Sequence, residues 1–563
     1  MRSLAFAVPG LLLFSCSTPP PAPPPTIAER TDSIARIFEA PEAFAERVID
    51  STTVIAFLQA HPDHHEDSAA ILSFYQRRDY HLAWFAGDTL SRAAYNFINL
   101  IASTDTTVNL KAAAVGQWSR DLEALMAQHD TVPMTDSLRN TTELALTAGF
   151  FHVADAKYSG LVRKDLRELD WYIPRRKKNY DRLLDSLVAG VNDLALIEPL
   201  HPQYAMLKNV LKDYAALDTL PWTTIAWKKG TTVPDDSTLG MIRERLIALG
   251  DLADMKDSLV TEAGAEATSF RSAVMNAQHR YGLKETGKPD GELIAELNVT
   301  PAERERQILV NMERLRWVPA EQDSDLILVN IPEFRMHVYE HDTLAWDMNV
   351  VVGATATRSA IFSGRLSQVV MAPYWNIPQS IIRDEILPAV KKNPGYLARK
   401  NMEVVRGGNV VPSSSIDWKK YSKGVPFTIR QKPGPGNALG QVKFLFPNEY
   451  SIYFHDTPSK DKFKRDQRAF SHGCIRLSEP AKLAEYLLQE DTTWTSKKVK
   501  AAMTGKTEVA VRLKRPRPVI LGYFTTWVDR HGHVNFRRDV YGHDAKLAEE
   551  LFAPVAASDV AFR

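Results

Sequence analysis

The sequence predicts a multidomain α+β protein, and three observations carry that reading. A chain of 563 residues is too long for one core, since domains of ~100–200 residues would divide it into roughly three or four. Apolar residues recur at helical spacing through residues 31–230, and at a spacing of two from "NMERLRWVP" (311–319) onward. Between these halves, residues 236–300 read as short helices separated by Gly, Pro and Asp turns. The apolar content of 44% and charged content of 24% are those of a soluble globular chain. With 69 basic against 68 acidic residues the net charge is +1. That balance gives no reason to expect a nucleic-acid partner or an anionic membrane surface.

The N-terminus stands apart. "MRSLAFAVPGLLLFSC" carries a charge at Arg2, an apolar run and then Cys16, the pattern of a secretory signal over 1–16. Leu13-Phe14-Ser15-Cys16 resembles a bacterial lipoprotein processing site, with lipid attached to Cys16. The alternative is ordinary signal cleavage or an uncleaved anchor. Residues 17–30 contain "STPPPAPPPT", a proline density that gives a stiff, extended tether. With Cys16 lipidated, the mature chain keeps one thiol, Cys474, and no intramolecular disulfide can form. A lone thiol outside the cytoplasm is a liability unless it is buried or used.

In the first half, "AILSFYQRRDYHLAWF" (70–85) places Leu72 and Tyr75 at helical spacing, and "TELALTAGFFHVADAKYSG" (142–160) reads as a helix ending near Gly160. "PRRKKNYDR" (174–182) reads as a solvated helix face. In "TLGMIRERLIALGDL", Leu239, Ile242, Leu246 and Leu249 share one side. Further on come a helix at about 269–280, a stop at Gly282 and a second helix. In the C-terminal half, Phe334, Met336 and Val338 alternate with polar residues between turn signals at Ile331-Pro332 and His341-Asp342. A helical interruption at 379–401 divides the strands. They resume at "FTIRQKP", "QVKFLF" and "YSIYFHD", and a helix starts near Pro480. The last ~50 residues add two more strands or extended segments.

Two segments carry chemistry, "SIYFHDTPS" (451–459) and "FSHGCIRLS" (470–478). His455 ends an apolar strand, and Cys474 follows 19 residues later in a turn containing Gly473. A thiol becomes a strong nucleophile once ionised, and a nearby imidazole can take its proton. Gly473 would let the backbone approach a substrate, and the amides around Gly473 and Cys474 could face a developing oxyanion. A buried, inert Cys474 is the bland alternative. A zinc site from His455, His472 and Cys474 is another, opposed by the two-residue spacing of His472 and Cys474 and the lack of a placed acidic partner.

The His455 to His472-Gly473-Cys474 spacing, with Ser471 before and Arg476 after, resembles the L,D-transpeptidase (YkuD-like) signature. "NMERLRW", "VNIPEF", "WNIPQSI", "RQKPGPGNALGQVKFLFPN" and "FRRDVYG" extend the likeness in order. They match a large periplasmic subgroup with a helical scaffold domain, a peptidoglycan-binding module and a capping insertion. The 236–300 segment resembles that small three-helix peptidoglycan-binding module, except that its Phe-Gln pair is Ala277-Gln278 here. A structural helical insert is the alternative. The resemblance implies a mostly β catalytic domain over 303–545, with a helical cap insertion at 376–425.

By motif it implies that Cys474 is the nucleophile and His455 the general base. Ser471, His472 and Gly473 would shape the active-site loop. Arg476 would support that loop or contact a substrate carboxylate, with a structural ion pair as the rival. Tyr374, Trp375, Arg430, Asn437 and Tyr453 resemble substrate-binding positions, with core packing the rival for the aromatics. The implied reaction is 3→3 cross-linking of peptidoglycan stem peptides, from a tetrapeptide donor to a diaminopimelate acceptor, with release of D-Ala and no metal or organic cofactor. Inhibition by carbapenems is implied too. Related outcomes are D-amino acid exchange, hydrolysis, protein attachment to the wall, or a non-catalytic wall tether. Ser17 after the lipidated residue points to the periplasmic side of an outer membrane.

Overall fold

The computed structural model describes residues 47–102, 124–125, 127–128, 133–162, 164–175, 180–190, 201–231, 233–253, 263–318 and 325–553. The signal at 1–16, Cys16 and the 17–30 tether lie outside these residues, as does most of the basic run at 176–179.

The first apolar core is helical. Helices Ser51–Ala60, Ser68–Arg77, Arg92–Ala102, Asp136–Tyr158 and Tyr180–Val188 close around Phe74, Trp84, Phe97, Phe150 and Phe151. A small hairpin of β1 (Phe85–Ala86) and β2 (Thr89–Leu90) edges it. The helix expected over 70–85 stops at Arg77. Asp79 and Tyr80 turn the chain with φ of 49° and 61°, and neither Gly nor Pro marks the turn in the sequence. Beyond it, buried Glu143 accepts the N–H groups of Ala83 (2.6 Å) and Trp84 (3.0 Å) and the Tyr75 hydroxyl (3.0 Å). These bonds satisfy a turn that would otherwise hide unpaired donors.

The second core joins helices Pro202–Leu217, Asp236–Ala248, Ala263–Arg280 and Gly291–Leu297. The 202–217 helix therefore packs with the small helical module, although the sequence grouped it with the helices before it. Ile242 and Leu246 are fully buried, while Leu239 and Leu249 are only partly so. Gln278 is buried as well. Its amide accepts from Thr286 and Gly287 N–H and donates to Lys288 O, which fastens the 286–288 turn.

Helix Pro301–Trp317 links this module to the sheet. Thr300 and Glu303 form a capping box, and Pro301 sits in the first turn. The helix runs through "NMERLRW", where the sequence suggested that strand periodicity begins. Its charged residues are buried because each finds a distant partner. Glu313 accepts Val162 N–H and pairs with Arg316 (2.5 Å), Arg316 also reaches the Tyr204 hydroxyl, and Arg314 pairs with Asp544 (2.5 Å). Unpaired, such charges would be costly to bury.

The third core belongs to a nine-stranded sheet. Its strands are β3 (Leu326–Asn330), β4 (Arg335–Glu340), β5 (Thr343–Gly353), β6 (Phe362–Met371), β11 (Val442–Leu445), β12 (Phe454–His455), β13 (Ala469–Ser471), β14 (Ile475–Leu477) and β15 (Val509–Gly522). The spatial order is β13-β5-β14-β12-β11-β6-β15-β3-β4, and an added β4–β5 pairing closes the ring. Phe334, Met336 and Val338 enter the core as their alternation requires. Val162, Leu166, Leu169, Trp171 and Ile173 leave the helical region to join this core, with Trp171 edge-on to Trp317 at 5.3 Å. Helices Pro480–Leu488 and Ser496–Met503 pack on it too. After a hairpin of β16 (Thr526–Val528) and β17 (Val534–Phe536), the last described element is helix His543–Leu551, where the sequence suggested only extended segments.

Between β6 and β11 lies an insertion with its own apolar cluster, including Ile382, Leu387, Trp418, Phe427 and Ile429. Besides helices it holds a four-stranded antiparallel sheet of β7 (Trp375–Asn376), β10 (Thr428–Gln431), β8 (Met402–Arg406) and β9 (Asn409–Val411). "FTIRQKP" pairs here rather than with the main sheet. The helical turn Ile382–Ile386 is a π-helix that ends two residues before Pro388. Proline lacks an N–H and crowds the preceding turn, and a widened turn relieves that conflict.

Candidate active site

The site is built on two short, parallel neighbours, β12 and β14, with Phe454 opposite Ile475 and His455 opposite Arg476. Side chains alternate faces along a strand. Phe454 and Ile475 are fully buried in the core. Tyr453, just before β12, and His455 within it therefore share the opposite face with Cys474, just before β14, and Arg476 within it.

His455 is buried, and its Nδ1 lies 2.5 Å from the main-chain oxygen of Asp456. A carbonyl can only accept, so Nδ1 carries the proton and Nε2 is left as the acceptor. The sequence named no group to hold this imidazole, and a backbone carbonyl does so. The Asp456 side chain is occupied elsewhere. It accepts Thr457 N–H (2.7 Å) and Gln441 N–H (2.9 Å), and pairs with Lys460 (2.5 Å). Burial, and then the positive charge of Arg476, push His455 down to about 4, so the ring is neutral at pH 7.

Cys474 is partly accessible. Burial pushes its thiol up from 9.0, while the Tyr453 main-chain N–H and hydroxyl, and Arg476, act in the opposite sense. The S–H group faces Ser451 O at 3.6 Å. Ser451 itself has φ of 55°. Among the described hydrogen bonds, none joins the sulfur to His455. The Tyr453 ring lies 5.7 Å from the His455 ring, and burial followed by the nearby sulfur pushes its phenol up. Arg476 forms no ion pair among the described residues, and its buried Nε has no hydrogen-bond partner there. The structural ion pair considered for it is therefore not made.

The turn before the thiol is fixed by Ser471. Its Oγ donates to Cys474 O at 2.6 Å and accepts Gly473 N–H at 3.1 Å. Gly473 adopts φ of 112°, a region open to glycine. Its N–H is thus committed, which corrects the expectation that this amide faces an oxyanion. The Cys474 N–H has no acceptor among the described bonds. The 354–359 loop cradles this turn: Ser359 Oγ donates to Gly473 O (2.6 Å) and Thr357 Oγ1 to Ser471 O (2.8 Å). Nothing in the spelling of Thr357-Arg358-Ser359 announces this role. His472 is exposed, and its Nε2 lies 3.5 Å from Glu385 in the π-turn of the insertion. The alternative zinc triad does not assemble, and among the described residues no cluster of three His, Cys, Asp or Glu side chains is placed to hold a metal.

The remaining expected residues separate. Asn437 does not line a cleft. It is 1% exposed, donates to Pro373 O, Gln431 O and Lys432 O, and accepts Leu439 N–H. It is a loop staple, because a buried amide must satisfy its own groups. Arg430 pairs with Glu403 (2.6 Å) and stacks on Tyr374 at 4.2 Å. Trp375 packs against the insertion's apolar cluster. None of these four contacts Cys474 or His455 among the described interactions.

Comparison with known proteins agrees with this geometry. Residues 324–511 match the model of the YkuD family, described as the L,D-transpeptidase catalytic domain, and residues 69–211 match one described as a scaffold domain. A Haemophilus influenzae protein described as "Putative L,D-transpeptidase" is 34% identical over 243 residues. That stretch is 43% of this chain and 49% of the relative, so the chain spans about half the length of the relative it matches. The chain thus carries a region similar to the YkuD L,D-transpeptidase catalytic domain at 324–511, with a scaffold-domain match before it.

Proposed function

We propose that the protein cross-links peptidoglycan stem peptides by 3→3 transpeptidation through a thioester on Cys474. The observation that carries this is the pairing of an accessible thiol with a buried, neutral imidazole on one face of adjacent strands. In the first step, Cys474 Sγ attacks the carbonyl carbon of the third stem residue. The thiol proton passes to His455 Nε2 and then to the leaving amine as the bond to D-Ala breaks. In the second, the side-chain amine of a neighbouring diaminopimelate attacks the thioester. Its proton passes through His455 to the departing sulfur. The Cys474 N–H, which has no acceptor among the described bonds, would donate to the developing oxyanion. Each step exchanges one acyl bond for another, so no nucleotide is consumed.

The insertion at 375–431 would cap the cleft, with Glu385 meeting His472. The cleavable signal, lipid on Cys16 and Pro-rich tether read from the sequence would place the catalytic domain on the periplasmic side of the envelope, anchored to the outer membrane. There it can reach the wall, and carbapenems would acylate Cys474. The test incubates the soluble chain from residue 26 with purified disaccharide-tetrapeptide beside Cys474→Ala. Mass spectrometry follows protein and products. A Cys474-dependent dimer lacking one D-Ala is the expected outcome. An acyl-enzyme or tripeptide without dimer means another acceptor, and no acyl-enzyme at all overturns the proposal.

A further inference from the structure

A separate cleft of about 940 Å³ opens where the small helical module, the β16–β17 hairpin and the β4–β5 edge of the sheet meet. Cys474, His455 and Arg476 are not among its lining residues. Its walls bring Arg335, Arg468 and Arg537 near Glu333, in a lining that also holds Arg530 and Arg538. Arg468 donates only to uncharged oxygens: the main chain of Glu333, Phe334, Val350 and Arg465, and Asn349 Oδ1. Arg537 donates to Arg280 O and Phe536 O, and stacks on Trp527 at 4.7 Å. Neither forms an ion pair among the described residues.

Most other acids in the lining are engaged: Asp347 by Arg335, Glu285 by His279, and Asp529 by the N–H groups of His531 and His533. Asp342 and Asp466 lie in the wall as well, and Asp466 offsets part of the Arg468 charge. Glu333 is itself claimed by His337 at 2.8 Å, and the buried His337 Nδ1 has no partner among the described residues. Burial, and then the nearby Arg335, push Arg468 down to about 10. Arg468 and Arg537 therefore stand in the wall with no carboxylate paired to either guanidinium among the described residues. Guanidiniums in this state favour a carboxylate from outside.

We infer that this cleft binds a second, carboxylate-bearing stem peptide of the wall polymer, one that is held and not cleaved. The ligand's identity rests on the function proposed above. The cleft is at the upper end of small-ligand pockets, ~300–1,000 Å³, and so admits more than one residue. Its link to the reacting thiol is short. Arg468 is anchored to β5 through Val350 O and immediately precedes β13, whose Ser471 fixes the Cys474 turn.

The test uses the chain with Cys474→Ala, so that binding is read without turnover. It compares solubilised peptidoglycan bearing its stems with the same glycan after amidase has removed them. Expected are binding of the first alone, weakening with salt, and a loss of roughly tenfold with Arg537→Gln. Since Arg537 also holds main-chain oxygens, Leu344→Glu supplies a second variant. Leu344 lines the cleft and is 37% exposed, so a carboxylate there repels the ligand without loading the core. Equal binding of stripped glycan, or unchanged binding by a Leu344→Glu chain with wild-type melting, overturns the inference. Acylation of Cys474 by disaccharide-tetrapeptide, measured in parallel on the wild-type chain, separates the two readings. Its absence fails the proposed function, whereas its presence beside unchanged binding fails the cleft alone.

Discussion

Titration of the free protein by the ultraviolet absorbance of its thiolate, with Cys474→Ser as blank, should show no thiolate at neutral pH. The thiol lies above 9.0 and the imidazole at about 4. Moving the proton between them crosses at least five units, about 7 kcal/mol at 1.36 kcal/mol per unit. Mutual attraction of the ions would return about 2–4 kcal/mol at 4–8 Å in an effective dielectric near 20. The remaining ~3–5 kcal/mol leaves fewer than about one molecule in a hundred as the ion pair. Geometry agrees, since the sulfur faces the Ser451 carbonyl, which accepts from S–H and repels a thiolate. The nucleophile would then form only as substrate draws the thiol toward His455, and general-base catalysis replaces a standing ion pair. Arg476→Gln removes a cation that lowers both groups. Thiolate onset should move to higher pH, and protonation of His455, followed by NMR, should move to higher pH too. A thiolate midpoint below about pH 8.5, the value of a free thiol, or an onset that falls in Arg476→Gln, would refute the reasoning.

Two further perturbations test how the structure supports the site. A Cβ on Gly440 would lie 2.3 Å from the Asp456 carboxylate at φ of +60°, whereas at Gly407, φ +58°, it would meet nothing within 4 Å. Gly440→Ala should therefore cost about 3 kcal/mol or more and slow Cys474 acylation, while Gly407→Ala costs about 1 kcal/mol. Equal urea midpoints for the two would show that Asp456 is not held as described. His201 is partly buried, and its Nδ1 accepts Gln203 N–H at the start of helix Pro202–Leu217, a bond that the protonated ring cannot accept. Burial lowers it to about 4, so the unfolded chain takes up protons first as pH falls from 6.5. The stability it contributes is present above 6.5 and is lost toward 4. That loss is at most about 2 kcal/mol at pH 5, less where water reaches the ring. His201→Asn keeps the cap and should flatten that part of the pH dependence in urea titrations at pH 7 and 5. An unchanged slope would remove His201 from the account.

Much of the site was legible because its chemistry is local in sequence. His455 and Cys474 stand in spellings that only a few side chains satisfy, and the alternation around Phe334, Met336 and Val338 names its own buried face. What escaped depends on partners far along the chain. "NMERLRW" carries Glu313, Arg314 and Arg316, and such charges disguise a buried helix until Val162, Tyr204 and Asp544 are known to meet them. The Thr300-x-x-Glu303 capping box just before it was the signal that could have placed this helix. Asn437 has the composition of a binding residue, and only its enclosure by three carbonyls shows that it holds a loop. The imidazole's partner is a main-chain oxygen, which no side-chain pattern encodes.

The pairing of β12 with β14 is the decisive step, and it rests on very little hydrogen bonding: two residues of the first face two of the second. Its register is set instead by what each face excludes. Phe454 and Ile475 fill the core, with Phe454 against Phe446 at 4.9 Å. A slip of one residue would bury Tyr453 or His455 in that core and lift Phe454 to the surface. Hydrophobic burial thus holds the thiol and the imidazole on one face more firmly than any bond between them, which is why the resting site can leave that bond unmade.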